Sequence, residues 1–489
     1  MKVKRLSRRV RAGLGIALVA GLALSSSPTW AAITPDSAVK GPVSGGTPLV
    51  VQLPEDITQV AAGLSFSAAL EASGNIYFWG KINDQLPAPK TPTLKQAPSG
   101  VRFTAITAGH QHVLALANNG SVYGWGKNND GELGNGKPYT EEFVEIKHPT
   151  GGQFTAIGAG QYFSVALDSQ GDIYSWGNNS RGQLGNNSTD TKNADSPVRV
   201  HAPGIKFTSI GVQSNHVLAL GTVENPTTKA PERKTFAWGS NYRGNLGDGT
   251  KIRRHSPVEV KLPEGVTHFV SVSSGAAGAH SVALGSDGHH YAWGGNVAGN
   301  LGDGTTQDRN TPTRVAAPQG LHFAPISTGW VHTLGKSLGA SSVYTWGGNF
   351  RGQLGTTGND IESHRPVQSL TPDSVSFSSV AAGGVHNVAL GSDGLVYTWG
   401  GNQMGQLGYD QGDYSSTPGV VPFSKLALNS VIFGASEAAA DPKSTMQISR
   451  GKWLIFTPAF SRAGTVPVAV TRIVDGKVSV NVDSSFTYE

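Results

Sequence analysis

Seven Trp-Gly pairs recur along the chain, at Trp79, Trp125, Trp176, Trp238, Trp293, Trp346 and Trp399, with gaps of 46, 51, 62, 55, 53 and 53 residues. They use seven of the ten tryptophans, so the spacing is not a by-product of aromatic content. A self-similar period of about 50 residues is the length of one four-stranded propeller blade. Seven such units imply an all-β ring, because a single blade cannot bury both of its faces. The search for function then moves from a catalytic motif to the loops that rigid units carry.

One unit reads from Pro366 to Ser416. Val380-Ala381-Ala382-Gly383 leads through a short loop to His386 and the strand Asn387-Val388-Ala389-Leu390. Asp393-Gly394 supplies a hairpin turn, and Val396-Tyr397-Thr398-Trp399 returns in period 2. Gly405-Gln406-Leu407-Gly408 closes the unit. An aromatic ring stands two places before every repeat tryptophan (Tyr77, Tyr123, Tyr174, Phe236, Tyr291, Tyr344, Tyr397). Gly-x-Leu-Gly follows in six units, ending at Gly134, Gly185, Gly247, Gly302, Gly355 and Gly408. The first unit is shortened at Lys81 to Leu86, and the fourth replaces its Asp-Gly turn with a polar insertion over 222–234. These residues resemble the RCC1-type repeat over roughly residues 55–424. The resemblance implies a seven-bladed β-propeller whose main business is binding other proteins.

The flanks do not read as blades. Ile33-Thr34-Pro35 and Gly45-Gly46-Thr47 stand before the repeats; Val431-Ile432-Phe433-Gly434, Thr457-Pro458, Ala463 to Val470 and Phe486-Thr487-Tyr488 follow them. Read continuously, they resemble one IPT/TIG immunoglobulin-like sandwich. The expected organisation is a signal peptide at 1–32, the first part of the sandwich at 33–53, the propeller at 54–424 and the second part of the sandwich at 425–489. Eight proline-containing strand starts, from Pro48 to Pro418, serve seven Trp-Gly units, so one is spare. Pro418 to Val421 is expected to help close the ring. Thr47 to Leu53 is expected to serve the sandwich at least in part.

The leader carries Lys2, Lys4, Arg5, Arg8, Arg9 and Arg11, then an apolar run from Ala12 to Ser25, then small residues for cleavage at Ala31 or Ala32. It holds six of the 38 basic residues, so the remainder carries 32 against 33 acids, near neutrality. That balance gives no electrostatic footprint for nucleic acid. The expected product is a bacterial, secreted, extracellular monomer, not held at a membrane after cleavage. The chain has no cysteine for disulfides or a lipid anchor.

A search for chemistry finds little. Gly131 to Lys137 fits the first places of a P-loop, but Pro138 stands where a magnesium-binding hydroxyl is needed. His112, His216, His280, His332 and His386 occupy equivalent places in five units, which suggests metal, yet Phe66 and Phe163 fill that place in the other two. The position is therefore read as packing. The Asn- and Asp-rich turns lack the carboxylate spacing of a calcium loop. No catalytic residue, metal or cofactor is expected.

A hairpin returns its ends to one side, so the loops after Ala-Gly and after Trp-Gly share a face. Its candidate binding residues are His110, Gln111, Tyr162, Arg181, Tyr242, Arg243, Trp330, Phe350, Arg351 and Met404, types enriched at interface hot spots. Capping of blade edges accounts for some of them equally well. The expectation is a secreted, non-enzymatic module that presents this face to a protein, or to a glycan. Two alternatives stay open. Bacterial relatives of this kind include a β-lactamase-inhibitory propeller, implying an enzyme inhibitor. The eukaryotic family implies guanine-nucleotide exchange on a host GTPase.

Overall fold

The computed structural model describes residues 57–423, apart from 85–87, 138–139, 276, 339–341, 359 and 374, together with backbone strands in both flanks. Seven four-stranded antiparallel sheets follow one another along the chain. Blade one comprises Ile57–Ala62, Phe66–Glu71, Ile76–Gly80 and Thr93–Lys95. Blades two to seven span 103–146, 154–199, 205–259, 269–314, 323–368 and 377–420. The repeat thus folds as an all-β seven-bladed propeller.

Its phase differs from the sequence reading. The strand holding Pro366 (Glu362–Gln368) pairs with the Trp346 strand and is the outer strand of blade six. The outermost strand of each blade follows its Trp-Gly pair, because the chain must return along the edge that strand leaves open. Pro418 lies in Tyr414–Val420, the outer strand of blade seven. In blade four the polar insertion lengthens the central hairpin, so His216–Glu224 and Pro231–Gly239 have nine residues each.

The core lies between blades. Leu114, Val122 and Ile146 of blade two bury themselves with Phe154, Tyr174 and Trp176 of blade three. The ring closes in the same way: Val60, Tyr77 and Trp79 of blade one pack with Val388, Leu390, Val396 and Val421 at the other end of the repeat. Among the described residues no strand is exchanged at the closure. Side-chain packing and hydrogen bonds between blades one and seven hold it.

Outside the blades, Pro48–Gln52 pairs antiparallel with Lys452–Phe456, which pairs in turn with Met446–Ser449. A second sheet orders Lys40–Gly41, Lys477–Tyr488, Gly464–Val474, Ala427–Phe433 and Ala438–Ala439. Strands from the two ends of the chain therefore share sheets. The leader over 1–32 lies outside the described residues.

Candidate binding face

The register fixes which loops meet. Phe66 pairs with Gly80 and His332 with Gly347, so the loop before the second strand and the loop after Trp-Gly leave from one end of the blade. Backbone bonds join them: Lys81 N–H donates to the Ser65 carbonyl at 2.8 Å and Gly348 N–H to that of Val331 at 2.7 Å. Others run between blades. Leu64 N–H donates to His110, His110 to Gly160, Gln161 to Ser214, Trp330 to Gly384 and Gly384 to Gly63. Loops tied this way lose little conformational freedom when a partner docks.

The turn after Trp-Gly is an Asn-x-x-Gly unit held by its first residue. In six blades the Asn Oδ1 (Asn128, Asn179, Asn241, Asn296, Asn349, Asn402) accepts the N–H of the leucine five places on. Its Nδ2 donates to a carbonyl farther along the same loop. The clamp leaves the first x position pointing out. That position is Tyr242 in blade four, Val297 in blade five and Phe350 in blade six, each more than half exposed.

The candidate residues divide by burial. Tyr242, Trp330, Phe350 and Met404 are 44 to 59% exposed, and Arg181 is also exposed. Gln111, Tyr162, Arg243 and Arg351 are half-buried. Arg243 is held by Asp308 at 3.0 Å, and Lys127 Nζ sits 4.2 Å over the Tyr162 ring. His110 is a correction to the expected face. It is 8% exposed, its ring lies edge-on to Tyr162, and burial with the nearby Lys127 charge pushes its pKa down to about 4. Val297, Ile361 and Tyr414 were missed, although all three are exposed. Val297 could have been found by aligning the Asn-x-x-Gly turns.

The repeated histidines do a different job. His112 Nε2 meets Ser164 Oγ at 3.0 Å, His216 meets Ser281 at 2.8 Å, His280 meets Thr333 at 2.8 Å and His386 meets Ser67 at 3.0 Å. Each hydroxyl donates its proton to a backbone carbonyl, so it accepts from the imidazole. His332 Nε2 donates to Asn387 Oδ1 at 2.9 Å. All five rings are thus neutral Nε2–H tautomers, with that proton committed to the next blade. Burial pushes His112, His216, His280 and His386 down to about 3, and His332 to about 4. Rings committed to successive blades do not converge on one ion. Among the described residues there is no group of three or more side chains placed to hold a metal.

The architecture is that of a seven-bladed propeller whose loops are tied to one another across blades and carry exposed aromatic side chains. Its family follows from comparison with known proteins. The RCC1-like domain profile matches residues 34–335, and the Regulator of chromosome condensation (RCC1) repeat matches 341–390 and 393–432. The chain belongs to the RCC1-like repeat family. It is 33% identical over 282 residues to the ultraviolet-B receptor UVR8 of Arabidopsis thaliana, covering 57% of this chain and 60% of that protein. It is 31% identical to the probable E3 ubiquitin-protein ligase HERC6 of Homo sapiens, covering 53% of this chain and 24% of that protein. The match therefore spans less than two thirds of either relative. Prp20p from Saccharomyces cerevisiae superposes with a TM-score of 0.61 at 20% identity, covering 83% of this chain and 93% of that one.

Proposed function

We propose that this protein is a secreted, non-enzymatic interaction module that presents its propeller loop face to a protein partner. The observation that carries the reading is the set of Tyr242, Trp330, Phe350 and Met404, large and exposed on loops that the ring holds in place. Exposed aromatic side chains on a rigid support are the usual anchors of an interface. Proteins of this fold also engage other proteins: Prp20p binds Gsp1p and histones, and yeast RCC1 binds Kap60. The basic and apolar leader supports export. The strands shared by the two flanks support a small immunoglobulin-like sandwich that carries the propeller.

The test is capture from cell-surface extracts and growth medium by the intact chain and by Tyr242→Ala/Trp330→Ala/Phe350→Ala. The captured protein should bind the triple variant at least about tenfold more weakly. An unchanged set of partners at unchanged affinity would overturn the reading, and so would turnover of a substrate at this face.

A further inference from the structure

The turn after Trp-Gly presses against the loop that starts the outer strand of the next blade. A Cβ on Gly131, Gly182 or Gly244 would come 2.8 Å from the carbonyl oxygen of Ala194, Arg254 or Arg309, so these three gaps are built alike. In each, the residue before the glycine belongs with the residue before that carbonyl. Two of the gaps hold a complementary pair. Between blades two and three, Asn193 Nδ2 donates to Asp130 Oδ1 at 3.0 Å. Between blades four and five, Arg243 Nη1 donates to Asp308 Oδ2 at 3.0 Å. Between blades three and four the same two places hold Arg181 and Arg253. Both are exposed, and neither enters an ion pair among the described residues. Arg253 Nη1 donates to the Ser180 carbonyl at 3.3 Å, which sets its guanidinium beside the Arg181 turn.

The loop does not need these cations to form. Asn241 Nδ2 donates to the Thr250 and Ile252 carbonyls just as Asn296 Nδ2 donates to those of Thr305 and Gln307. Asp248 holds Arg254 at 2.7 Å as Asp303 holds Arg309 at 2.8 Å. Blade five makes this backbone with Thr306, Gln307 and Asp308, whereas blade four places Lys251, Ile252 and Arg253 there, all exposed. The nearby acids are engaged elsewhere: Asp248 with Arg254, Asp308 with Arg243, and Asp190 with Lys192 at 3.2 Å. Asp130 and Asp195 belong to the gap between blades two and three, where Lys127 and Lys137 stand on the same turn loop. Arg181, Lys251 and Arg253 are therefore left over as positive charge, beside Tyr242 and Ile252, which are 59% and 61% exposed. Like charges crowded together repel, and a carboxylate brought between two guanidinium groups turns that repulsion into charge-assisted hydrogen bonds.

We propose that Arg181 and Arg253 form a seat for an Asp or Glu side chain of a protein partner, standing where Asp308 stands in the next gap, with Ile252 and Tyr242 receiving an apolar neighbour of that acid. This rests on the loop-face reading and names the partner's chemistry at one gap. The test titrates the full chain with two labelled peptides of identical Leu-Trp-Leu core, one flanked by glutamates and one by glutamines, followed by fluorescence anisotropy. The glutamate peptide should bind at least roughly tenfold tighter, and its advantage should shrink as salt rises. Arg253→Asp copies the neighbouring gap, so it should abolish the advantage without lowering the midpoint of thermal unfolding. Arg181→Gln/Arg253→Gln should abolish it as well, and Ile252→Ser should weaken both peptides while keeping their ratio. Equal binding of the two peptides, binding of neither, or an advantage that survives Arg253→Asp overturns the inference. So does inorganic phosphate that displaces the glutamate peptide at equal concentration, since that marks a general anion site. The wider face reading falls separately, when the Trp330 triple variant keeps its captured partner.

Discussion

A fully buried imidazole survives in this ring only because each one meets a group that can take its proton. The residue after each ring position shows the rule. Five histidines face Ser67, Ser164, Ser281, Thr333 or Asn387 in the next blade. The two phenylalanines instead share apolar clusters with valine: Phe66 with Val113 and Phe163 with Val217. Ring and acceptor therefore behave as one unit. His112→Phe alone should destabilise the protein by about 1–3 kcal/mol, because Phe makes no bond to Ser164 and fills more volume. His112→Phe/Ser164→Val copies the pairing already used in two blades, and the Trp176 indole still satisfies the Glu132 carbonyl at 2.8 Å. The double variant should recover at least about 1 kcal/mol relative to the sum of the singles in denaturant unfolding. Strict additivity would sink the idea of a paired unit.

At the scale of the blade, the two sequence motifs that count repeats are the two halves of one contact. In six blades the tryptophan indole donates to the second residue of the preceding Gly-x-Leu-Gly, as Trp346 Nε1 does to the Asn300 carbonyl at 2.9 Å; Trp125, which follows the shortened first unit, lacks this bond. The closing glycine of that motif lies under the same indole: Gly302 has φ +68, and a Cβ there would come 2.8 Å from Trp346 Nε1. Gly136 has a similar φ of +65 but nothing within 4 Å. Gly136→Ala should cost only the backbone term, about 1 kcal/mol, and Gly302→Ala should cost that plus an overpacking term of about 1–3 kcal/mol. Equal losses in thermal unfolding would mean that the indole contact does not matter. This contact is why the blades could be counted from sequence: the residues that repeat are those that touch the neighbouring blade. The loop residues obey no such rule. His110 and Trp330 look alike as loop aromatics, yet His110 is covered by Tyr162 from the next blade whereas Trp330 stays exposed. Ile361 and Tyr414 could not be read as part of the face, because only the fold shows their loops reaching the turns. The phase of the blades was hidden too, since an outer strand looks the same at the start of a unit as at its end.

Across the whole molecule, the buried histidines couple ring stability to acidity. Their folded pKa values lie at about 3 to 4 because burial disfavours the charged ring, and unfolding restores a value near 6.5. The unfolded chain therefore binds more protons between these limits. The stability each ring contributes is fully present above about pH 6.5 and is lost as pH falls toward its folded value, by up to about 1.4 kcal/mol per unit. Glu132 acts in the opposite sense. Burial pushes it up to about 6, so its contribution is present in acid and is lost as pH rises past that value, but it is one group against the five ring histidines and against His110 and His290, which burial also pushes down to about 4. Asp248 and Asp303, held low by hydrogen bonds and by Arg254 and Arg309, lose their contribution in stronger acid. Unfolding free energy measured in denaturant should then fall steadily from pH 7 to pH 4, through a window where ordinary exposed histidines would have no effect. His112→Phe/Ser164→Val removes one ring without removing the contact, so it should reduce proton uptake on unfolding near pH 5 by about one. An unchanged slope in that variant would show that the ring is not what makes the propeller sensitive to acid.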